Sequence, residues 1–193
     1  MLIKLLKKLL QFTFAVLLIS IILGLILPQS YSVDKTIQIN SSQNTIRVLV
    51  GDFKQWHKWS PWQQISPSTT FIISEPSAGV GAYQSWESMW GFGEMTITAM
   101  SGSEITFNVL LNEENIIKGT LSFVNNSKAL TVTCQIKGQA TNALFSGYVA
   151  FITQYILNNA VTLGLNNLKA TAQLNDKQIT AENYGNKNST SAH

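Results

Sequence analysis

From Leu9 to Leu27 the chain reads LLQFTFAVLLISIILGLIL, 19 residues without a charge. A helix rises 1.5 Å per residue, so this run spans roughly 28 Å, about the hydrocarbon thickness of a bilayer. Lys4, Lys7 and Lys8 stand before it, and Asp34 and Lys35 follow it as a balanced pair. Positive charge stays on the cytoplasmic side. The expectation is a basic cytoplasmic N-terminus over residues 1–8 and a single transmembrane anchor over 9–27. Everything after Pro28 would then lie on the periplasmic or extracellular side of the cytoplasmic (inner) membrane. A cleaved signal peptide is the rival, but its apolar core is ~7–15 residues and ends in a small-x-small site. Here the run is longer, and LILPQSYS offers only Ser30 or Ser32 as the small position. No cysteine follows the segment closely, which argues against a lipoprotein.

Of the 13 basic residues, three are the lysines before the anchor, and 10 acidic residues face the rest. The exported part is therefore neutral, which excludes the electrostatic footprint of a nucleic-acid binder. Cys134 is the one cysteine, so no internal disulfide forms, and with two histidines a structural zinc site is excluded.

After the anchor, residues 29–32 read as a tether. Val33, Lys35, Ile37 and Ile39 then alternate with Asp34, Thr36 and Gln38 as a strand. Asn40-Ser41-Ser42 supplies N-cap chemistry for a short helix through Ile46, Leu49 and Val50, stopped by Gly51. An aromatic stretch from Phe53 to Trp62 is broken at Pro61. From about Thr69 to Lys137, apolar alternation is punctuated by Gly, Pro, Asn and Ser clusters. Met95, Ile97 and Ala99 fall on one face, as do Ile105, Phe107, Val109 and Leu111. Leu121 and Phe123 follow, then Leu130, Val132, Cys134 and Ile136. This is an antiparallel meander with one buried face. From Thr141 to about Gln173, Phe145, Val149, Ile152, Ile156, Ala160 and Leu163 recur at helical spacing, predicting a long helix with that face on the sheet. Gln154, Asn158 and Asn159 argue against a second membrane span. Residues 174–193 are polar and read as a disordered tail.

The order is strand, short helices, meander and long helix, which makes the fold class α+β, a helix-grip in which a curved sheet wraps the last helix. Trp56 with Trp59-Ser60-Pro61-Trp62, Gly79-Val80-Gly81-Ala82 leading to Trp86-Glu87, Gly91-Phe92-Gly93-Glu94 and Gly164-Leu165-Asn166-Asn167-Leu168-Lys169 mark it further. In these residues the chain resembles the polyketide cyclase/dehydrase-like group of the START-related (SRPBCC, Bet v 1-like) superfamily, particularly its membrane-anchored bacterial members. The resemblance covers about Val33 to Ala172, within a ligand-binding domain drawn at 33–173. It departs from the pattern at Ser66 before Pro67 and at Thr133-Cys134. It implies an apolar cavity between sheet and long helix for a lipid, sterol, polyketide or similar molecule, and it does not by itself imply catalysis.

Candidate ligand contacts are Trp59 and Trp62 at a mouth, Trp86 and Trp90 on a strand face, Phe107 and Phe123 on the sheet, and Ile152, Tyr155 and Ile156 on the helix. No catalytic residue, metal or cofactor is expected. By alternation Glu87, Glu94 and Glu104 fall on the polar face, away from any apolar pocket where a carboxyl would acquire a useful pKa. His57 reads as a solvated or capping residue, Cys134 as a buried thiol, and Arg47 as a solvated helix residue. Three functions fit. The first is a membrane-anchored module that binds a hydrophobic or amphipathic molecule, with no nucleic acid as partner. The second is a cyclase- or dehydratase-type enzyme using the same cavity. The third is an envelope interaction module with a filled core.

Overall fold

A computed structural model describes residues 2–89, 91–111, 115–127, 129–141 and 145–190, with 115 and 182–190 by their backbone alone. Helix α1 (Leu2–Ile26) takes in the lysines and the apolar run. With 25 residues and a mean hydropathy of 2.6, it is long and apolar enough to cross a membrane. Strand β1 (Ser30–Ile39) follows at once. The tether expected at 29–32 is thus mostly strand: Ser30, Tyr31 and Ser32 pair with Gln139, Gly138 and Lys137.

Three short helices come next, α2 (Gln43–Gly51), α3 (Phe53–Trp56) and α4 (Trp62–Ile65). Ser42 caps α2 as its type predicts, its hydroxyl accepting from the Thr45 N–H at 3.0 Å. The meander is β2 (Thr70–Ile73), β3 (Tyr83–Ser88), β4 (Gly91–Met100), β5 (Glu104–Leu111), β6 (Asn115–Asn125) and β7 (Leu130–Gln139). All pairs are antiparallel in the order β1-β7-β6-β5-β4-β3-β2, so β1 closes the sheet against the last strand. Helix α5 (Ser146–Thr190) crosses the concave face beside β1. The fold is the α+β helix-grip that the element order predicts.

The alternation holds with one exception. The register shifts between Ile97 and Ala99, and this bulge leaves Ala99 exposed where the strict period placed it inside. Met100 turns inward instead and lies over Gly51 at the end of α2. The buried face otherwise carries Ile97, Ile105, Phe107, Leu121, Phe123, Leu130 and Val132. Truncating a buried ring such as Phe123 costs about 3–5 kcal/mol.

Three strand glycines are roofed by an aromatic ring from the residue paired with them. A Cβ on Gly93 would lie 2.3 Å from Trp86, one on Gly119 2.1 Å from Phe107, and one on Gly138 2.4 Å from Tyr31. Each is a direct cross-strand pair. The missing side chain is what lets the ring lie down against the sheet.

The face of α5 on the sheet is not the one that periodicity suggested. Ala150, Ala160, Val161, Leu165, Leu168 and Ala172 are buried, while Phe145, Val149, Ile152 and Ile156 are exposed and only Ala160 of the expected face is inside. Close packing against β1 and α1 selects the stripe with the smaller side chains, and the bulky stripe turns outward. The helix also continues past Gln173 to Thr190, where a disordered tail was expected. The Asp176 carboxylate accepts from the Ser42 N–H at 3.1 Å and the Thr45 hydroxyl at 2.6 Å, which ties the extension to the first turn of α2. Burial pushes the pKa of Asp176 up, but the nearby Ser41 hydroxyl and the hydrogen bonds from Thr45 and Ser42 outweigh it and hold the carboxyl below its usual range.

Candidate functional site

The concave face has a sealed half and an open half. The seal is aromatic. The last carbonyls of a helix lack intrahelical donors, and two of those in α2 are capped by indoles: Trp56 Nε1–H donates to Val50 O at 2.8 Å and Trp59 Nε1–H to Leu49 O at 2.9 Å. Their rings lie 4.8 Å apart between centroids, and Trp56 meets Phe107 edge-on at 6.1 Å and Phe53 at 5.2 Å. Trp59 and Phe107 are therefore core residues beneath α2 and α3, and Phe123 is 1% exposed in the same cluster. Trp59 does not stand at a mouth. Trp62, the first residue of α4, is half-buried.

The open half is formed by β2–β4. By register, Phe71 and Ile73 on β2, Gln84 and Trp86 on β3, and Gly93 and Met95 on β4 share the concave side. Phe71, Ile73 and Trp86 are only half-buried. The Phe71 and Trp86 rings sit 6.4 Å apart at 43°, and the indole rests on Gly93. Gln84 lies beside them, 4% exposed, and among the described residues its amide nitrogen reaches only the Met95 sulfur, at 3.8 Å. A thioether is a weak acceptor. An amide on an apolar floor with so poor a partner can hydrogen-bond a hydroxyl or carbonyl brought to it. Sequence reading missed both Phe71 and Gln84. The cross-strand pairing of Phe71 with Trp86 is a tertiary fact, and Gln84 lies on the buried side of a strand too short to show its phase.

Of the other expected contacts, Ile152, Tyr155 and Ile156 do not face the sheet; they are 56%, 66% and 46% exposed. Trp90 lies outside the described residues. Glu87 and Glu104 are exposed, and Glu94, paired with Leu110, is on the convex side with them. His57 is exposed, with Nδ1 2.7 Å from the Lys54 carbonyl. Burial, aided by Asp34, pushes the Cys134 thiol up to about 12, leaving it unreactive. No group of three His, Cys, Asp or Glu side chains able to hold a metal occurs among the described residues.

Two open clefts lie on α5. One, of about 630 Å³, is bordered by Asn40, Gln173, Asp176, Lys177 and Thr180. The other, of about 230 Å³, is bordered by His57, Lys58, Ser60, Gln63, Asn167 and Thr171. Neither is lined by Phe71 or Trp86.

Neither a protein-family model nor a curated protein sequence matches the chain. Solved structures do. Protein CV1439 from Chromobacterium violaceum is 12% identical with a TM-score of 0.53, over 74% of this chain and 97% of its own. TTHA0849 from Thermus thermophilus is 16% identical with a TM-score of 0.54, over 74% and 97%. The di-domain ARO/CYC StfQ from the steffimycin biosynthetic pathway is 7% identical with a TM-score of 0.60, over 77% of this chain and 52% of its own, so this chain spans about half of it. At such identities the likeness concerns backbone alone, and it shows that this chain shares the fold of these structures.

Proposed function

We infer that the chain is a membrane-anchored module binding a hydrophobic or amphipathic small molecule on the outer side of the cytoplasmic membrane. The observation that carries this reading is the half-open concave floor, where Phe71 and Trp86 present aromatic faces and Gln84 a poorly partnered amide. An apolar floor with one or two polar groups is the usual chemistry of small-molecule sites. Anchoring rests on the length and hydropathy of α1 and on Lys4, Lys7 and Lys8 at its start, which orient the N-terminus to the cytoplasm. The exposed positions of Glu87 and Glu104 support binding over acid–base catalysis.

A second reading, an interaction module with a filled core, is supported by the aromatic seal of Trp56, Trp59 and Phe107. One experiment separates the two. The full chain is purified from membranes into lipid nanodiscs, extracted with organic solvent and compared by mass spectrometry with empty discs. Binding gives a molecule enriched with wild type and depleted severalfold with Trp86→Ala or Gln84→Leu. Absence of any enriched molecule favours the filled-core module.

A further inference from the structure

Phe145, just before α5, and Val149, Phe151, Ile152, Tyr155 and Ile156 in its first three turns are six exposed apolar side chains. Their position relative to α1 gives them a meaning. Gly24 is the one buried residue of α1, and a Cβ on Gly147 would lie 2.7 Å from its carbonyl oxygen and 2.4 Å from the Leu27 Cβ. Tyr148 donates its hydroxyl to the Ser20 carbonyl at 2.8 Å. The start of α5 is thus packed on the outer end of the apolar helix. Ser20 lies six residues inside Ile26, or about 9 Å along the axis. The Tyr148 hydroxyl thus reaches into the last turns of the apolar helix, and the helix that carries it begins where that segment would leave the bilayer.

Resting on the reading of α1 as an anchor, we propose that residues 145–156 form a second membrane contact, lying at the outer headgroup–acyl boundary where α1 emerges. No charge occurs between Lys137 and Lys169, so no ion is desolvated by the insertion. Depth is limited by Gln154, exposed within the same turns, and by Asn159 just beyond them. That places the segment at the headgroup–acyl boundary, ~5–10 Å deep, as for interfacial helices. The anchor and this collar hold the domain against the bilayer in a fixed orientation, where a free tether would let it swing.

The test uses the full chain with nitroxide labels at Ile152→Cys, Tyr155→Cys, Leu17→Cys and Leu174→Cys, in phosphatidylcholine/phosphatidylglycerol liposomes. All four sites are exposed, and native Cys134 is buried. Power saturation with oxygen and with a water-soluble nickel chelate reads lipid against water. The expected oxygen-to-nickel accessibility ratio at 152 and 155 is at least fivefold above that at 174 and approaches that at 17. A ratio at 152 equal to that at 174, with 17 in lipid, overturns the collar and leaves the anchor standing. Low accessibility to both reagents at 152 overturns it in favour of a protein cover. A ratio at 17 equal to that at 174 removes the anchor and the collar with it.

Discussion

Gly93→Ala tests the arrangement on which the candidate site rests. The added Cβ would lie 2.3 Å from Trp86 Cζ2 and 2.6 Å from Cε2. Carbon atoms rest at about 3.5–4.0 Å, so the indole must lift by more than ~1 Å from the sheet. Overpacking of this kind costs about 1–3 kcal/mol. Replacing a strand glycine returns about 0.5–1 kcal/mol, leaving a net loss of roughly 0.5–2 kcal/mol. At about 2–4 °C per kcal/mol for a chain of this size, Tm falls by about 1–8 °C. Trp86→Ala alone removes a half-buried ring and costs about half of the ~3–5 kcal/mol for a fully buried one. With the ring gone the same Gly93→Ala change meets open space, so it leaves Tm unchanged or raises it by up to ~4 °C. The coupling between the two sites is therefore about 1–3 kcal/mol. Thermal unfolding of the four full-length proteins in one detergent, followed by near-ultraviolet circular dichroism, closes the cycle. Equal shifts from Gly93→Ala in both backgrounds would refute the stacked geometry.

Trp59→Phe keeps most of the ring but leaves the Leu49 carbonyl without its donor, a loss of about 1–3 kcal/mol; the half-buried Trp62→Phe should change stability by under ~0.5 kcal/mol, and denaturant titration compares them. Asp176→Ala frees the first turn of α2, and because the carboxylate is only half-buried the loss at neutral pH stays at ~1 kcal/mol. The folded pKa of Asp176 is held below the ordinary 3.8. Its contribution is thus complete above that value and fades as pH falls through the folded pKa, so the melting curves of wild type and variant converge in acid. A gap that widened on acidification would contradict this sign. With its thiol near 12, Cys134 should resist maleimide at pH 7.5, having about a thousandfold less thiolate than a free cysteine; prompt native labelling, read by intact mass, would place it outside the core.

What was legible in the sequence was whatever depends on period and length. The apolar run before Pro28 is readable because a span needs a fixed number of residues, and the strands because their side chains alternate. The Ser42 cap is readable because it is a local hydrogen bond. The rest required contacts between distant residues. Periodicity located α5, but several stripes of that helix are apolar, and only the closeness of β1 and α1 decided that Ala150, Ala160 and Leu168 turn inward while Ile152 and Ile156 turn out. Trp59 became a cap for Leu49, and Trp86 a half-open floor with Phe71, because strand pairing and helix docking brought those partners together. Asp176 looked like part of a polar tail until α2 placed two donors beside it. Sequence by itself determined the long apolar helix, the meander and the helix that grips it. Tertiary structure decided which faces are sealed and which are left open, because burial belongs to a surface shared by two elements and cannot be read from either one.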